Sequence, residues 1–367
     1  MNPQLTKILD SGKQTQFTLS SINVSLANAV RRTILSDIPV TTFNTETYND
    51  NQCTIYVNTC RLHNEILKHR LSCIPICEKD LTLLPGKYIL ELDVSNETDN
   101  MLIVTTEDFK IRNKETGAYV KDAEVRNIFP PFAQTGTFID FCRLRPRIGD
   151  SIPGEQIKLT CDFSVHCAKD NSMFNVVSKC AYGNTPDMQK IDKIWEEQEG
   201  KLAGEGMTKE EIEFQKRNFY LLDAQRHYIE NSFDFVIETI GQYENREIVK
   251  KACSILQNKF VDMIQAIDSD QIQITNSETT IDNCFDITLE NEDYTIGKVL
   301  EYILYEKYYL SEKIFSYCGF KKFHPHSPDS TIRIAYSTSG DKRMAQQHLR
   351  IACVEARDVF KNLESMF

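Results

Sequence analysis

A pattern that occurs twice constrains the fold of this chain more than any other feature: strand, short amphipathic helix, strand, long amphipathic helix. Apolar residues that recur at three- and four-residue steps predict helices at residues 23–36, 244–267, 295–307 and 341–363. Short apolar or alternating runs precede them and predict strands at residues 16–19, 233–237, 285–289 and 332–336. Each helix has one apolar face to bury, so two related modules that pack together are one interpretation of the pattern. The other is that common strand–helix units recur without any duplication.

The first copy of the pattern is interrupted by a long insertion between Pro39 and Phe233, whereas the second copy is nearly continuous. The insertion begins with a β-rich region and continues with a segment rich in Glu, Lys and Gln that predicts charged surface helices. The predicted domains are a first module (1–41 and 227–268), an inserted β-rich domain (42–182), a charged helical insertion (183–226), a linker (269–280) and a second module (281–367).

Composition excludes several classes of protein. The 367 residues carry 42 Lys and Arg against 53 Asp and Glu, a net charge of −11, which is opposite to that of a protein whose main task is to hold phosphate backbones. No run approaches the roughly 18–20 apolar residues that span a bilayer. The 12 cysteines are scattered, without the framework of a secreted miniprotein. We therefore expect an intracellular, reducing location, with no membrane contact.

The densest group of candidate metal ligands is His63, His69, Cys73 and Cys77. Imidazole and thiolate are the ligands of tetrahedral zinc, but the spacing differs from a zinc knuckle and the segment that follows is apolar. Buried thiols beside a structural histidine are the simpler interpretation, and a metal- or thiol-dependent enzyme stays open as the alternative. The sequence contains no phosphate-binding loop or nucleophile elbow, so we expect no catalytic residue and no cofactor.

The first predicted helix has two different faces. One carries the apolar stripe with Leu26, Val30 and Ile34, and the opposite face carries the set Asn28, Arg31, Arg32 and Leu35. One interpretation of the second set is a solvent-exposed polar face that happens to include one leucine. A second interface is the other, since arginine beside an exposed apolar side chain is typical of partner-binding patches.

Several motifs resemble one family. The segment Ser25–Pro39, SLANAVRRTILSDIP, closely resembles the first-helix motif of the RNA polymerase alpha subunit family, which includes the third-largest subunit of eukaryotic RNA polymerase II and its archaeal counterpart. Residues 65–76, which contain His69-Arg70-Leu71 before Ile74-Pro75, resemble a second motif of that family, and 233–267 resembles its returning strand and long helix. Residues 285–300 and 318–325 are similar to the small partner, the eleventh-largest subunit or its archaeal counterpart.

The resemblance implies an α+β fold in which two alpha-subunit-type dimerisation modules form an intramolecular pseudo-dimer, the first one interrupted by the β-rich domain. It implies a non-catalytic assembly subunit of a DNA-directed RNA polymerase. The expected partners are the largest and second-largest subunits and small adaptor subunits, with DNA contacted only through the complex. Fusion of the large and small partners resembles the arrangement in large cytoplasmic DNA viruses, which implies a viral factory or virion, or otherwise a nuclear or cytoplasmic location.

The resemblance also assigns site residues. The implied large-subunit interface comprises Asn28, Arg31, Arg32, Leu35, His69 and Arg70. The predicted intramolecular dimer interface comprises Leu26, Val30, Ile34, Ile255, Phe260, Ile296, Val299, Leu300, Ile303, Leu349 and Phe360. The eukaryotic third-largest subunit binds zinc through four closely spaced cysteines, which Cys73 and Cys77 do not reproduce, so we expect no zinc. The remaining alternative for the function of the chain is a dimerisation scaffold that has no role in transcription.

Overall fold

The computed structural model describes residues 2–149 and 151–367, and its fold is α+β, as predicted. The strands of the described residues are β1 (Gln4–Ser11), β2 (Gln14–Ser20), β3 (Val40–Thr42), β4 (Cys53–Asn58), β5 (Tyr88–Ser95), β6 (Leu102–Thr105), β7 (Lys110–Asn113), β8 (Asp140–Leu144), β9 (Gln156–Asp162), β10 (Ser164–His166), β11 (Val177–Pro186), β12 (Tyr228–Thr239), β13 (Ile274–Asn276), β14 (Cys284–Leu289), β15 (Phe315–Lys321) and β16 (Ser330–Tyr336). The helices are α1 (Val24–Ser36), α2 (Asn64–Ser72), α3 (Asp122–Ile128), α4 (Met188–Gly204), α5 (Lys209–Leu221), α6 (Asn245–Asp268), α7 (Tyr294–Leu304) and α8 (Lys342–Glu364).

The chain divides into two compact units. One, which we name the paired-module unit, contains the chain up to Thr33, Lys179–Glu238 and Val249–Phe367. The other, the inserted unit, contains Ile34–Ser178 and Thr239–Ile248. Both copies of the strand–helix pattern therefore contribute to a single compact unit.

The first module is built on a four-stranded sheet in the order β1-β2-β12-β11. β2 and β12 pair antiparallel although more than 200 residues separate them, and Phe17 lies directly opposite Phe235. Their rings stack with centroids 5.1 Å apart. On the other side of the strand, the Thr18 hydroxyl donates a hydrogen bond to Asp234 at 2.6 Å. These cross-strand pairs hold the register across the insertion, because a slip of one residue would exchange the two faces.

The second module repeats this design in an antiparallel sheet of order β13-β14-β16-β15. Asp286 and Arg333 face each other across β14 and β16 and form a bidentate ion pair with distances of 2.6 and 2.8 Å. The side chain of Asp293 caps the N-terminus of α7, and that of Asp341 caps α8. The residues that follow α7, Tyr305–Ser311, form a π-helix.

The charged segment predicted as surface helices forms the α4–α5 hairpin of the paired-module unit. Asp187 caps α4, and a Thr208–Glu211 capping box begins α5. The hairpin has a small core of its own, in which Trp195 packs on Phe219 with ring centroids 5.6 Å apart.

The inserted unit is β-rich, with sheets β4-β9-β5-β7, β6-β8 and β10-β3. Alternate residues of β9, among them Ile157, Leu159 and Cys161, point into a core that also buries Leu67 and Leu71 of α2. The helix α2 thus buries Leu67 and Leu71 in this core and leaves Ile66, His69 and Arg70 exposed.

Two features differ from the sequence-based expectation. The predicted linker 269–280 contains β13, which pairs with β14 through Ile274 and Ile287 and so forms the edge of the second sheet. β1 and β15 were not predicted, since exposed edge strands show little apolar alternation. No helix of the described chain is both long enough and apolar enough to cross a membrane.

Candidate protein interface

The two long helices α6 and α8 form the seam between the modules. Phe260 and Phe360 stack across it with ring centroids 5.9 Å apart and planes inclined by 11°. The amide of Gln257 donates a hydrogen bond to Glu364 at 2.6 Å, and Arg350 binds Asp268 at 2.7 Å. Because higher numbers in α6 meet lower numbers in α8, the two helices run antiparallel.

The seam is charged where the C-terminal end of α6 meets the N-terminal end of α8. Arg350 holds the Asp268 carboxylate with two hydrogen bonds, and Lys342 lies 3.1 Å from Asp270. Hydrogen bonds and ion pairs to these basic side chains hold the pKa of both carboxyl groups below the usual range. The seam therefore combines an apolar stack with a charged end, which fits the apolar core and polar rim of a protein interface.

The residues predicted for the dimer interface are almost all buried. Leu26, Val30, Ile34, Phe260, Ile296, Val299, Leu300, Ile303, Leu349 and Phe360 are buried, whereas Ile255 is half-buried. The stacked pair Phe260–Phe360 lies directly across the seam. The assignment of the whole set to the interface stays a prediction.

The polar face of α1 consists of half-buried side chains. Arg31 donates a hydrogen bond from Nε to the Asn28 side-chain oxygen at 2.9 Å, one helical turn earlier, and Leu35 lies one turn later. The guanidinium of Arg31 is thus oriented along the helix surface beside an accessible apolar side chain.

Arg32 is bound within the chain. Its Nε donates to the Thr295 hydroxyl at 2.8 Å, and its terminal nitrogen lies 2.6 Å from an Asp293 carboxylate oxygen. Burial opposes ionisation of Asp293, but hydrogen bonds from Thr295 and the charge of Arg32 outweigh it, so the pKa of this carboxyl lies below its usual value. Sequence reasoning missed this contact, although Asp293 and Thr295 carry a recognisable helix-cap signal.

His69 and Arg70, the other residues assigned to the large-subunit interface, lie in the inserted unit. The His69 side chain is exposed. Arg70 donates to the carbonyl oxygens of Phe141 at 2.7 Å and Asp140 at 2.6 Å, which fastens the last turn of α2 to β8. A structural role for Arg70 is therefore evident, and its interface role stays a prediction.

The histidine and cysteine cluster is dispersed in the fold. His63 lies before α2 and contacts Glu65 at 2.8 Å, Cys73 caps the other end of α2, and the Cys77 thiol donates to the Gly241 carbonyl oxygen at 3.7 Å. Across residues 2–149 and 151–367, no three His, Cys, Asp or Glu side chains stand close enough together to hold a metal ion.

Several thiols are buried and protonated. Burial raises the pKa of Cys180, Cys318 and Cys353 to about 12, and burial together with the neighbouring Cys60 does the same for Cys142. Because the thiolate is the nucleophile, the raised pKa disfavours nucleophilic reactivity of these four cysteines at neutral pH.

Comparison with known proteins identifies the family. The model of the RNA polymerase Rpb3/Rpb11 dimerisation domain matches residues 16–260, from β2 into α6 and so across both units. The match includes α1, α2 and the returning strand β12, which carry the motifs quoted above. The second module begins beyond the matched residues.

Curated relatives agree with this match. The chain is 26% identical over 294 residues to a conjugation stage-specific protein of Tetrahymena thermophila, covering 66% of this chain and 88% of the relative. It is 25% identical to DNA-directed RNA polymerase subunit Rpo3 of Pyrococcus horikoshii, with 68% and 93% covered. It is 23% identical to DNA-directed RNA polymerase II subunit RPB3 of Schizosaccharomyces pombe, with 71% and 86% covered. The chain belongs to the RNA polymerase Rpb3/Rpb11 dimerisation-domain family.

Proposed function

We propose that this chain nucleates assembly of a multisubunit DNA-directed RNA polymerase by presenting two dimerisation modules already paired. As a member of its family it is a non-catalytic subunit of such a polymerase. The observation that carries the proposal is the α6–α8 seam, in which Phe260 and Phe360 stack within one chain.

The second module takes the place of a separate small partner in this proposal. It repeats the strand and helix order of the first module, and its motifs at 285–300 and 318–325 resemble the eleventh-largest subunit. Covalent connection gives the modules an effective concentration on the order of millimolar, so pairing no longer depends on the abundance of two separate chains. The viral origin inferred from such a fusion stays a prediction.

The polar face of α1 is the proposed docking surface for the second-largest subunit, followed by the largest subunit and the small adaptors. Asn28 orients Arg31, and Leu35 supplies an apolar contact one turn away. Arginine beside an apolar side chain is enriched at the energetic centres of interfaces. Arg32, His69 and Arg70 are also proposed to contact the large subunits; Arg32 lies in the paired-module unit and binds Asp293, whereas His69 and Arg70 lie in the inserted unit.

Arg31→Ala in the full chain tests the docking surface. We expect the variant to fold normally and to recover the two largest subunits, co-expressed from the same source, with affinity reduced about thirtyfold, the scale of an interface hot spot. Circular dichroism and quantitative pull-down measure the two properties.

Arg357→Ala is the matched control, because Arg357 is a half-buried arginine on α8 that pairs only locally with Asp358 at 2.8 Å among the contacts described. It should recover the large subunits as the unmodified chain does. Equal recovery by the Arg31 variant would remove α1 from the docking surface.

A further inference from the structure

The two modules are related by a pseudo-two-fold axis that passes near the stacked phenylalanines. Ala252-Cys253 and Phe260 of α6 repeat as Ala352-Cys353 and Phe360 of α8, with a constant offset of 100 residues. Since α6 and α8 pack antiparallel through Phe260 and Phe360, equivalent residues of the two modules occupy equivalent places about this axis.

The short helices α1 and α7 are related by the same pseudo-two-fold axis. Asn23 accepts a hydrogen bond from the Ser25 N–H at 2.9 Å, and Asp293 accepts one from the Thr295 N–H at 2.8 Å, so both residues are helix caps. Arg32 lies nine residues after its cap, and Tyr302 lies nine residues after Asp293. Arg32 is thus the counterpart of Tyr302, and Asn23 is the counterpart of Asp293.

The contact of Arg32 with Asp293 joins one module to the other, at 2.6 Å. In a pair of two first modules, Arg32 would face Asn23, which is neutral. In a pair of two second modules, Asp293 would face Tyr302, which is also neutral because burial raises the pKa of its hydroxyl. An ion pair at this place arises only when a first module meets a second module.

We propose that the Arg32–Asp293 ion pair selects pairing between unlike modules and so keeps two copies of the chain from joining through like modules. Polar contacts at interfaces commonly serve such selection, since they penalise the wrong partner more than they strengthen the right one. The proposal concerns pairing within the chain and does not depend on the docking of α1 to larger subunits.

An ion pair across the α6–α8 seam, Arg350–Asp268, does not discriminate against a pair of two first modules. Arg350 binds Asp268, and the residue equivalent to Arg350 in the first module is Lys250, which is also basic and is exposed. A pair of two first modules would therefore keep an attractive contact at Asp268. Arg350–Asp268 is therefore a control of the same chemical type, since it is also an ion pair between the two modules.

Charge reversal in the full chain tests the proposal. Arg32→Glu opposes Asp293 when unlike modules pair, but meets only the neutral Asn23 when like modules pair. We expect an unfolding equilibrium constant about tenfold higher than that of the unmodified chain, and dimers that increase with concentration. The double variant Arg32→Glu/Asp293→Arg should restore a monomer of nearly normal stability, because it recreates an ion pair.

Asp268→Arg is the matched control. Its new charge opposes Arg350 in the unlike pair and Lys250 in a pair of first modules, so we expect lower stability without dimers. Light scattering across a range of concentrations and equilibrium denaturation report both properties. The proposal is overturned if Arg32→Glu stays monomeric, if Asp268→Arg dimerises to the same degree, or if the double reversal fails to recover the monomer.

A double-mutant cycle with more conservative substitutions tests the proposal if a charge reversal prevents folding. Asp293→Asn keeps a helix-capping side chain and reproduces Asn23, while Arg32→Gln keeps a hydrogen-bond donor. The two changes should show a coupling of about two- to fivefold in the unfolding equilibrium constant, as expected for a pair that is one-third exposed. Additive effects would contradict the proposal.

Discussion

At the scale of one residue, the surroundings of His348 in the second module change the pKa of its imidazole. The imidazole is half-buried in an aromatic cluster, with ring centroids 4.3 Å from Tyr308 and 5.5 Å from Phe315. Its Nδ1 lies 3.0 Å from the Tyr336 hydroxyl. Burial and the charge of Lys307 lower the pKa of this histidine against the opposing effect of Glu312. The folded chain therefore favours neutral imidazole.

This environment predicts a pH dependence of stability. Because the folded pKa of His348 lies below the ordinary value of 6.5, the unfolded chain binds more protons in the interval between the two values. Stability is fully present above pH 6.5 and decreases as the pH falls through that interval. The free energy of unfolding of His348→Phe, measured by denaturation at several pH values, should lack this part of the pH dependence. An identical pH dependence in both proteins would contradict the assignment.

At the same scale, sequence reasoning placed Arg32 on the polar face of α1 and named no partner for it within the chain. Helical periodicity reports which side of a helix is polar, and the set Asn28, Arg31 and Arg32 is indeed the less buried side. The partner Asp293 lies 261 residues away in the chain, so no local pattern could connect the two.

At the scale of an element, α7 depends on a glycine for close packing. A Cβ atom at Gly297 would lie 1.9 Å from the Phe320 ring of β15. The helix therefore accepts a residue of low helix propensity so that the ring can approach the backbone.

Gly297→Ala should consequently destabilise the protein. Alanine gains about 1 kcal/mol in helix propensity, but overpacking against the ring costs typically about 1–3 kcal/mol and more when the ring cannot move. We expect a net loss of about 1 kcal/mol or more in equilibrium denaturation. Gly200→Ala in α4 is the control, since no atom lies within 4 Å of its added Cβ and stability should not fall. Equal effects at both positions would refute the packing argument.

The strands show why element prediction succeeds in part. β14 and β16 alternate clearly because one face of each is buried, and both were predicted. β13 spans three residues within a polar stretch, and its pairing with β14 is decided by the open edge of that strand rather than by its own sequence. Short edge strands of this kind leave no periodic signal.

At the scale of the whole molecule, residues 269–273 connect α6 of the first module to β13 of the second, and a hairpin loop then connects β13 to β14. β13 ends at Asn276, β14 begins at Cys284, and residues 278–283 between them are exposed. The covalent link therefore contributes to effective concentration, while the α6–α8 seam and the β13–β14 pairing provide the contacts.

Cleavage of this loop should leave the two pieces associated. A protease site placed within 278–282 would separate β13 from β14 in the chain, but their hydrogen bonds and the Phe260–Phe360 stack persist across the cut. We expect the pieces to co-elute in size-exclusion chromatography and to unfold in one transition whose midpoint depends on concentration. Elution as two separate species would show that the β13–β14 connection is needed to hold the two pieces together.

The sequence by itself determined the buried faces of the helices, the duplication of the strand–helix pattern and the family motifs, because periodicity and local motifs are recorded within short stretches of chain. The tertiary structure decided which charges meet across the seam, that β13 joins the second sheet, and that the histidines and cysteines of 63–77 point to different neighbours. Those outcomes depend on contacts between distant segments, which arise only when the apolar faces have packed and fixed the polar groups around them.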